Sequence, residues 1–166
     1  MADAITLEIV TPDGRKLQES VSAFTAPSVE GEFGVLPGHR PMLAALRTGI
    51  VSYTAGGKAT QVAVGPGFAE VLNDKAVLLT QAFCRKEDVD PVAVRLNLKD
   101  ADEALDKFQG DPGSPEHVEL VAKELWAAAQ LELYGDAPPP TVRTVYEMAG
   151  VPNYLADESD DSRDSN

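Results

Sequence analysis

The chain has 166 residues, 43% hydrophobic and 25% charged, and a formal net charge of −13. That size and composition suit a globular protein with one full domain and an appendage. The longest apolar runs, such as Ala76-Val77-Leu78-Leu79, fall far short of the roughly 20 residues of a membrane span, and the acidic balance opposes binding to nucleic-acid phosphates.

The excess acid is unevenly placed. Residues 1–86 carry eight acidic and eight basic side chains, residues 87–134 twelve and four, and residues 135–166 seven and two. This split predicts a neutral unit over 1–86, an acidic unit over 87–135 and an acidic end over 136–166. The opening MADAITLEIV has Asp3 and no basic stretch before its apolar residues, so no secretory signal is expected and the cytoplasm is the expected compartment. Cys84 is the single cysteine, which excludes an intrachain disulfide. With only His39 and His117 beside it, no Cys/His metal centre is expected.

The first unit reads as all-β. Ile5, Leu7 and Ile9 alternate with Thr6 and Glu8, a half-buried strand that ends at the turn Thr11-Pro12-Asp13-Gly14. Residues 29–49 read VEGEFGVLPGHRPMLAALRTG, a stretch rich in glycine and proline. Its histidine lacks a cysteine, a second histidine or a nucleophilic serine nearby, so a docking edge fits it better than an active site. Ile50–Thr54 and Thr60–Val64 flank Ala55-Gly56-Gly57-Lys58, a tight hairpin. Phe68–Leu72 follows, then a turn at Asn73-Asp74, then a strand over Ala76–Phe83. Short strands at this spacing predict a sandwich or barrel and disfavour a parallel βαβ sheet.

The period then changes. Asp90-Pro91 is a helix start, with Asp as N-cap and Pro where its missing N–H does no harm. Val94, Leu98, Ala101, Leu105 and Phe108 form one apolar stripe, and Gly110 is expected to stop the helix. Ser114-Pro115 repeats the start signal. Val118, Val121, Ala122, Leu125, Trp126 and Ala129 are the expected stripe of a second helix ending at Gly135. Two such helices joined by a short segment predict an antiparallel hairpin. Beyond it lie a stiff Ala137-Pro138-Pro139-Pro140 spacer, a segment Val142–Leu155 able to pack on the hairpin or a partner, and an acidic, Ser-rich end whose composition predicts disorder.

Glu30-Gly31-Glu32-Phe33-Gly34-Val35-Leu36-Pro37-Gly38-His39-Arg40-Pro41-Met42-Leu43 closely resembles the signature of the epsilon subunit of F-type ATP synthases. Further matching segments follow in order: Leu46-Arg47-Thr48-Gly49, Val64 to Val71, and Val77-Leu78-Leu79. The resemblance covers roughly residues 5–134. It implies a ten-stranded β-sandwich followed by a two-helix hairpin, so the fold class expected is β + α with an acidic tail. It also implies a non-catalytic central-stalk subunit that links the gamma subunit to the ring of c subunits, peripheral at the cytoplasmic face of the bacterial inner membrane. The beta subunit is a further implied partner when the helices extend.

Partner contacts are implied at Glu30, Gly31, Glu32, Phe33, Gly34, Pro37, Gly38 and His39, with the Glu-Gly-Glu segment toward the c ring. Each has a plainer alternative: His39 satisfies a turn carbonyl, and Glu30 and Glu32 are ordinary solvated charges. Two departures from the family pattern carry expectations. Its inhibitory contact uses basic helices against an acidic segment of the beta subunit, whereas residues 87–134 hold only Arg95, Lys99, Lys107 and Lys123 as cations; weak or differently built inhibition is expected. The nucleotide-binding segment of some relatives places arginine where Ala93 stands here, so no nucleotide or other cofactor is expected. A carbohydrate- or small-ligand-binding β-sandwich is the alternative, and it requires aromatics exposed on one face.

Overall fold

The computed structural model describes residues 3–139. The Val142–Leu155 segment and the acidic end lie outside the described residues, as does Pro140 of the spacer. Ten strands and two long helices follow one another: β1 (Ile5–Thr11), β2 (Gly14–Val21), β3 (Ala23–Ser28), β4 (Gly31–Val35), β5 (Met42–Leu46), β6 (Gly49–Ala55), β7 (Lys58–Val64), β8 (Gly67–Leu72), β9 (Lys75–Thr80), β10 (Phe83–Arg85), then α1 (Pro91–Asp106) and α2 (Pro115–Tyr134). The expected β-sandwich plus helix pair is therefore the fold.

The strands run in the order β10-β7-β6-β3-β5-β8-β9-β1-β2, with β4 paired to β3 alone. β3 is the corner. Its first residues pair β6 (Ala23↔Thr54), while Ser28 pairs Leu46 of β5, so one strand serves both layers. Arg85 Nη2 donates to the Lys16 carbonyl at 2.9 Å and ties β10 to β2 across the open side. Ile5, Leu7, Ile9, Phe24, Val51 and Leu78 fill the space between the layers. Each such side chain contributes about 1.5–3 kcal/mol over leaving it in water.

Three local expectations are revised. The strand expected over Ala76–Phe83 is broken after Thr80. Thr80 Oγ1 donates to the Gly65 carbonyl at 2.9 Å, Gly65 N–H donates to Ala82 O and Gln81 N–H to Pro66 O, and the chain then joins β7 in the other layer (Phe83↔Val64). Gly110 is not the stop of α1: the helix ends at Asp106 with Lys107 as a right-handed C-cap, so Phe108 lies beyond it. The role of Gly110 is steric, since a Cβ there would sit 2.6 Å from the Phe108 ring. In α2, Val118 and Ala122 face solvent, while Val121, Glu124, Ala127, Ala129, Leu131 and Leu133 are buried. α2 packs on α1 and on β6 and β7 at once, so it buries more than one stripe can supply.

The helix starts are as expected. Asp90 Oδ1 accepts from Val92 and Ala93 N–H at 3.0 and 3.2 Å, and Ser114 Oγ accepts from His117 N–H at 3.3 Å. Gly135 ends α2 in the left-handed conformation. A second apolar cluster joins the helices to the β-unit through Ala63, Cys84, Val94, Ala129, Leu131 and Leu133. Cys84 is the buried small hydrophobe expected of it. Burial pushes its thiol pKa up, although the Gln130 amide donates to Sγ at 3.7 Å and opposes the shift.

Candidate partner interface

The implied contact residues lie on and around β4, at its two ends. A five-residue strand separates its termini by more than 10 Å, with Phe33 and Gly34 between them. At the first end, β3 and β4 close a tight hairpin with Val29 and Glu30 at the tip. Ser28 Oγ donates to the Gly31 carbonyl at 2.6 Å and accepts from Glu30 N–H at 3.2 Å. Gly31 has φ of 114°, a conformation that a side-chain-bearing residue rarely adopts, and this turn needs it. Glu30 and Glu32 are both exposed. Glu32 also lines a cavity of about 420 Å³ between the β-unit and the helices, together with Arg47, Asp102, Glu124 and Pro138.

At the other end, Leu36-Pro37-Gly38-His39 forms a turn closed by His39 N–H donating to Leu36 O at 3.1 Å, with Gly38 at φ of 79°. Proline followed by a positive-φ glycine is the pattern of a type II turn. Gly38 N–H donates to Asp74 Oδ1 at 2.6 Å, which ties this turn to the β8–β9 turn. His39 is half-buried and its Nδ1 lies 2.7 Å from the Arg40 carbonyl, as the plainer alternative holds. Its Nε2 remains for another contact. Phe33 is also half-buried, packed edge-to-face on Phe24 with ring centroids 6.4 Å apart. Gly34 is exposed on β4, whose far edge pairs no strand among the described residues.

A third feature was not singled out in the sequence. Leu43 of β5, Phe68 and Leu72 of β8, and Leu79 of β9 point away from the core; Leu43 is 72% exposed and Phe68 59%. The registers Ala45↔Phe68↔Leu79 and Leu43↔Glu70↔Val77 put them on one outer sheet face, continued by Val10 beside Leu79. The Pro37–His39 turn borders this face through its bond to Asp74. Glu70 lies exposed among them, and such a cluster of large apolar side chains on a small protein marks a surface that meets another protein. Phe68 is the single aromatic among its large exposed residues, against the several a sugar-binding face requires.

Glu8, on the same outer sheet, is held below the ordinary carboxylate range by the Lys75 ammonium and then the Arg15 guanidinium, each 3.0 Å away. This is a structural cluster. Among the described residues, no group of three or more His, Cys, Asp or Glu side chains is arranged to hold a metal ion. Arg95, the cation nearest the Ala93 position, gives both Nε and Nη2 to Asp136 Oδ2.

A two-layer β-unit with large apolar side chains exposed on its outer face and an appended helix pair has the form of a subunit that docks on another protein. Residues 4–86 match the family model described as ATP synthase, Delta/Epsilon chain, beta-sandwich domain. The chain belongs to the ATP synthase epsilon chain family. It is 41% identical over 132 residues to the ATP synthase epsilon chain of Magnetococcus marinus, covering 79% of this chain and 94% of that one. It is 39% identical over 137 residues to the epsilon chain of Nitratidesulfovibrio vulgaris, covering 82% and 100%. Among solved structures it resembles a chain of the Euglena gracilis mitochondrial ATP synthase, in a structure of OSCP, F1 and c-ring, with a TM-score of 0.61, 27% identity and coverage of 82% and 80%. A chain of the Tetrahymena thermophila central stalk and c-ring structure shares the fold at 14% identity and a TM-score of 0.50, with coverage of 76% and 96%.

Proposed function

We propose that the chain is the rotor subunit of the central stalk of an F-type ATP synthase, joining the gamma subunit to the c ring so that proton flow drives ATP synthesis. It performs no chemistry itself. The gamma subunit takes the apolar outer face around Leu43, Phe68 and Leu79, bordered by Pro37, Gly38 and His39. The c ring meets the hairpin tip at Glu30, Gly31 and Glu32, where carboxylates approach basic loops closely and fix register more than they add affinity. Phe33 and Gly34 back that tip. Through the complex the chain sits peripherally at the cytoplasmic face of the bacterial inner membrane.

The observation that carries this is an apolar outer face on a member of the epsilon chain family. Tagged gamma subunit is expected to retain the chain on affinity resin, and a cysteine introduced by Glu32→Cys is expected to cross-link to the c ring in assembled membranes. A chain that elutes free of gamma, or a cross-link that forms only to subunits remote from the ring, would refute the assignment.

A further inference from the structure

We propose that Asp136–Pro139 is a strap that holds the helix pair down on the β-unit, with the Arg95–Asp136 ion pair as its clasp. At the end of α2, the N–H groups of Gly135 and Asp136 both donate to Leu131 O, at 3.0 and 2.9 Å, and this closure turns the chain back. Asp136 Oδ2 then accepts from Arg95 Nε at 2.9 Å and Nη2 at 2.6 Å, joining the segment after α2 to the first turns of α1. Ala137, Pro138 and Pro139 continue along the junction cavity, sharing its wall with Pro27 and Thr48 of the β-unit and Leu98 of α1. Consecutive prolines fix the backbone in an extended form, so the strap loses little freedom when it lies there.

The junction gives such a strap something to do. The helix pair meets the β-unit through a small apolar cluster in which Ala63 and Cys84 are the buried contributions of the strands, with Ile50 half-buried beside them. A contact of that size opens locally far more readily than the sandwich core. Pro138 is half-buried in that cavity wall, so the ion pair at one end of the strap and the wall at the other both bear on that opening. The strap consists of contacts within this chain, so it stands or falls separately from the stalk assignment.

Cys84 is a built-in reporter, because it is buried beneath α2 and is the single cysteine. In the full-length chain, the rate at which an aromatic disulfide reagent modifies Cys84 is measured at fixed pH. Asp136→Ala and Arg95→Ala are each expected to speed modification by about two- to five-fold, the factor an exposed ion pair commands. The double exchange Arg95→Asp with Asp136→Arg is expected to bring the rate back toward that of the parent chain. Unchanged Cys84 modification in the single variants, or an exchange pair that fails to restore protection, overturns the proposal.

Discussion

Gly38 donates its backbone N–H to the Asp74 carboxylate at 2.6 Å, a bond between residues 36 apart that joins the Pro-Gly-His turn to the β8–β9 turn. Asp74 also sits at φ of 55°, and its carbonyl accepts from Thr6 N–H at 3.0 Å. Asp74→Ala removes the carboxylate and puts an unfavourable residue in a left-handed turn, at a cost of about 1–2 kcal/mol. Asp74→Asn keeps an acceptor and tolerates the turn, so urea unfolding is expected to place it much nearer the parent. An Asp74→Ala variant as stable as the parent would show that the bond to Gly38 contributes nothing.

The apolar outer face yields a prediction that separates binding from folding. Phe68 and Leu79 are paired across β8 and β9 on the outer face, each more than half exposed. Phe68 lies outside the core cluster, so Phe68→Asp is expected to lower stability by about 1 kcal/mol or less, the span of strand preference, and to leave the fold intact. If gamma covers this face, the same substitution weakens the gamma complex by about ten- to a hundred-fold, the effect of an anchor residue at an interface. Surface plasmon resonance against gamma measures it, and unaltered affinity would move the gamma contact elsewhere.

This face was hidden in the sequence for a physical reason. Period-2 alternation reveals a strand's inner face only when the outer one is polar; Val77-Leu78-Leu79 is apolar on both faces, and Phe68-Ala69-Glu70-Val71-Leu72 is apolar on both except at Glu70. Hairpin turns and helix caps were legible because they depend on neighbours in the chain. Gly56-Gly57, Asp90-Pro91, Ser114-Pro115 and Gly135 all act as read. Features made by distant pairing were not. The parallel β1–β9 ladder, the break after Thr80 and the burial of Glu124 at 2% exposure each depend on where a remote element packs.

Glu8 supplies a pH prediction. Lys75 first, and then Arg15, hold its carboxyl below the ordinary value of 4.5 in the folded chain. A depressed folded pKa means that the unfolded chain binds the proton more readily. The stabilisation is therefore complete above the unfolded pKa and disappears as pH falls through the folded one. Glu8→Gln is expected to lower the melting temperature slightly at neutral pH and to converge on the parent in acid. Added salt narrows the gap at neutral pH as well, because Lys75 and Arg15 are largely exposed. A gap that widens on acidification would contradict the pairing.

The charge of the helix pair bears on regulation. Of its four cations, Lys99 and Lys123 already face Glu103 and Glu119 one turn away, and Arg95 is engaged by Asp136. Lys107 remains, beside the acidic excess of residues 87–134. An upward-extended hairpin that approached an acidic segment of a beta subunit would meet repulsion before contact. Deleting residues 87–166 from the chain in an assembled ATP synthase is therefore expected to change ATP hydrolysis by less than about two-fold, a difference under about 0.5 kcal/mol in barrier height. Steady-state hydrolysis assays decide this. A several-fold rise on deletion would mean that these helices restrain the motor by contacts other than the basic ones, and that charge does not govern their docking.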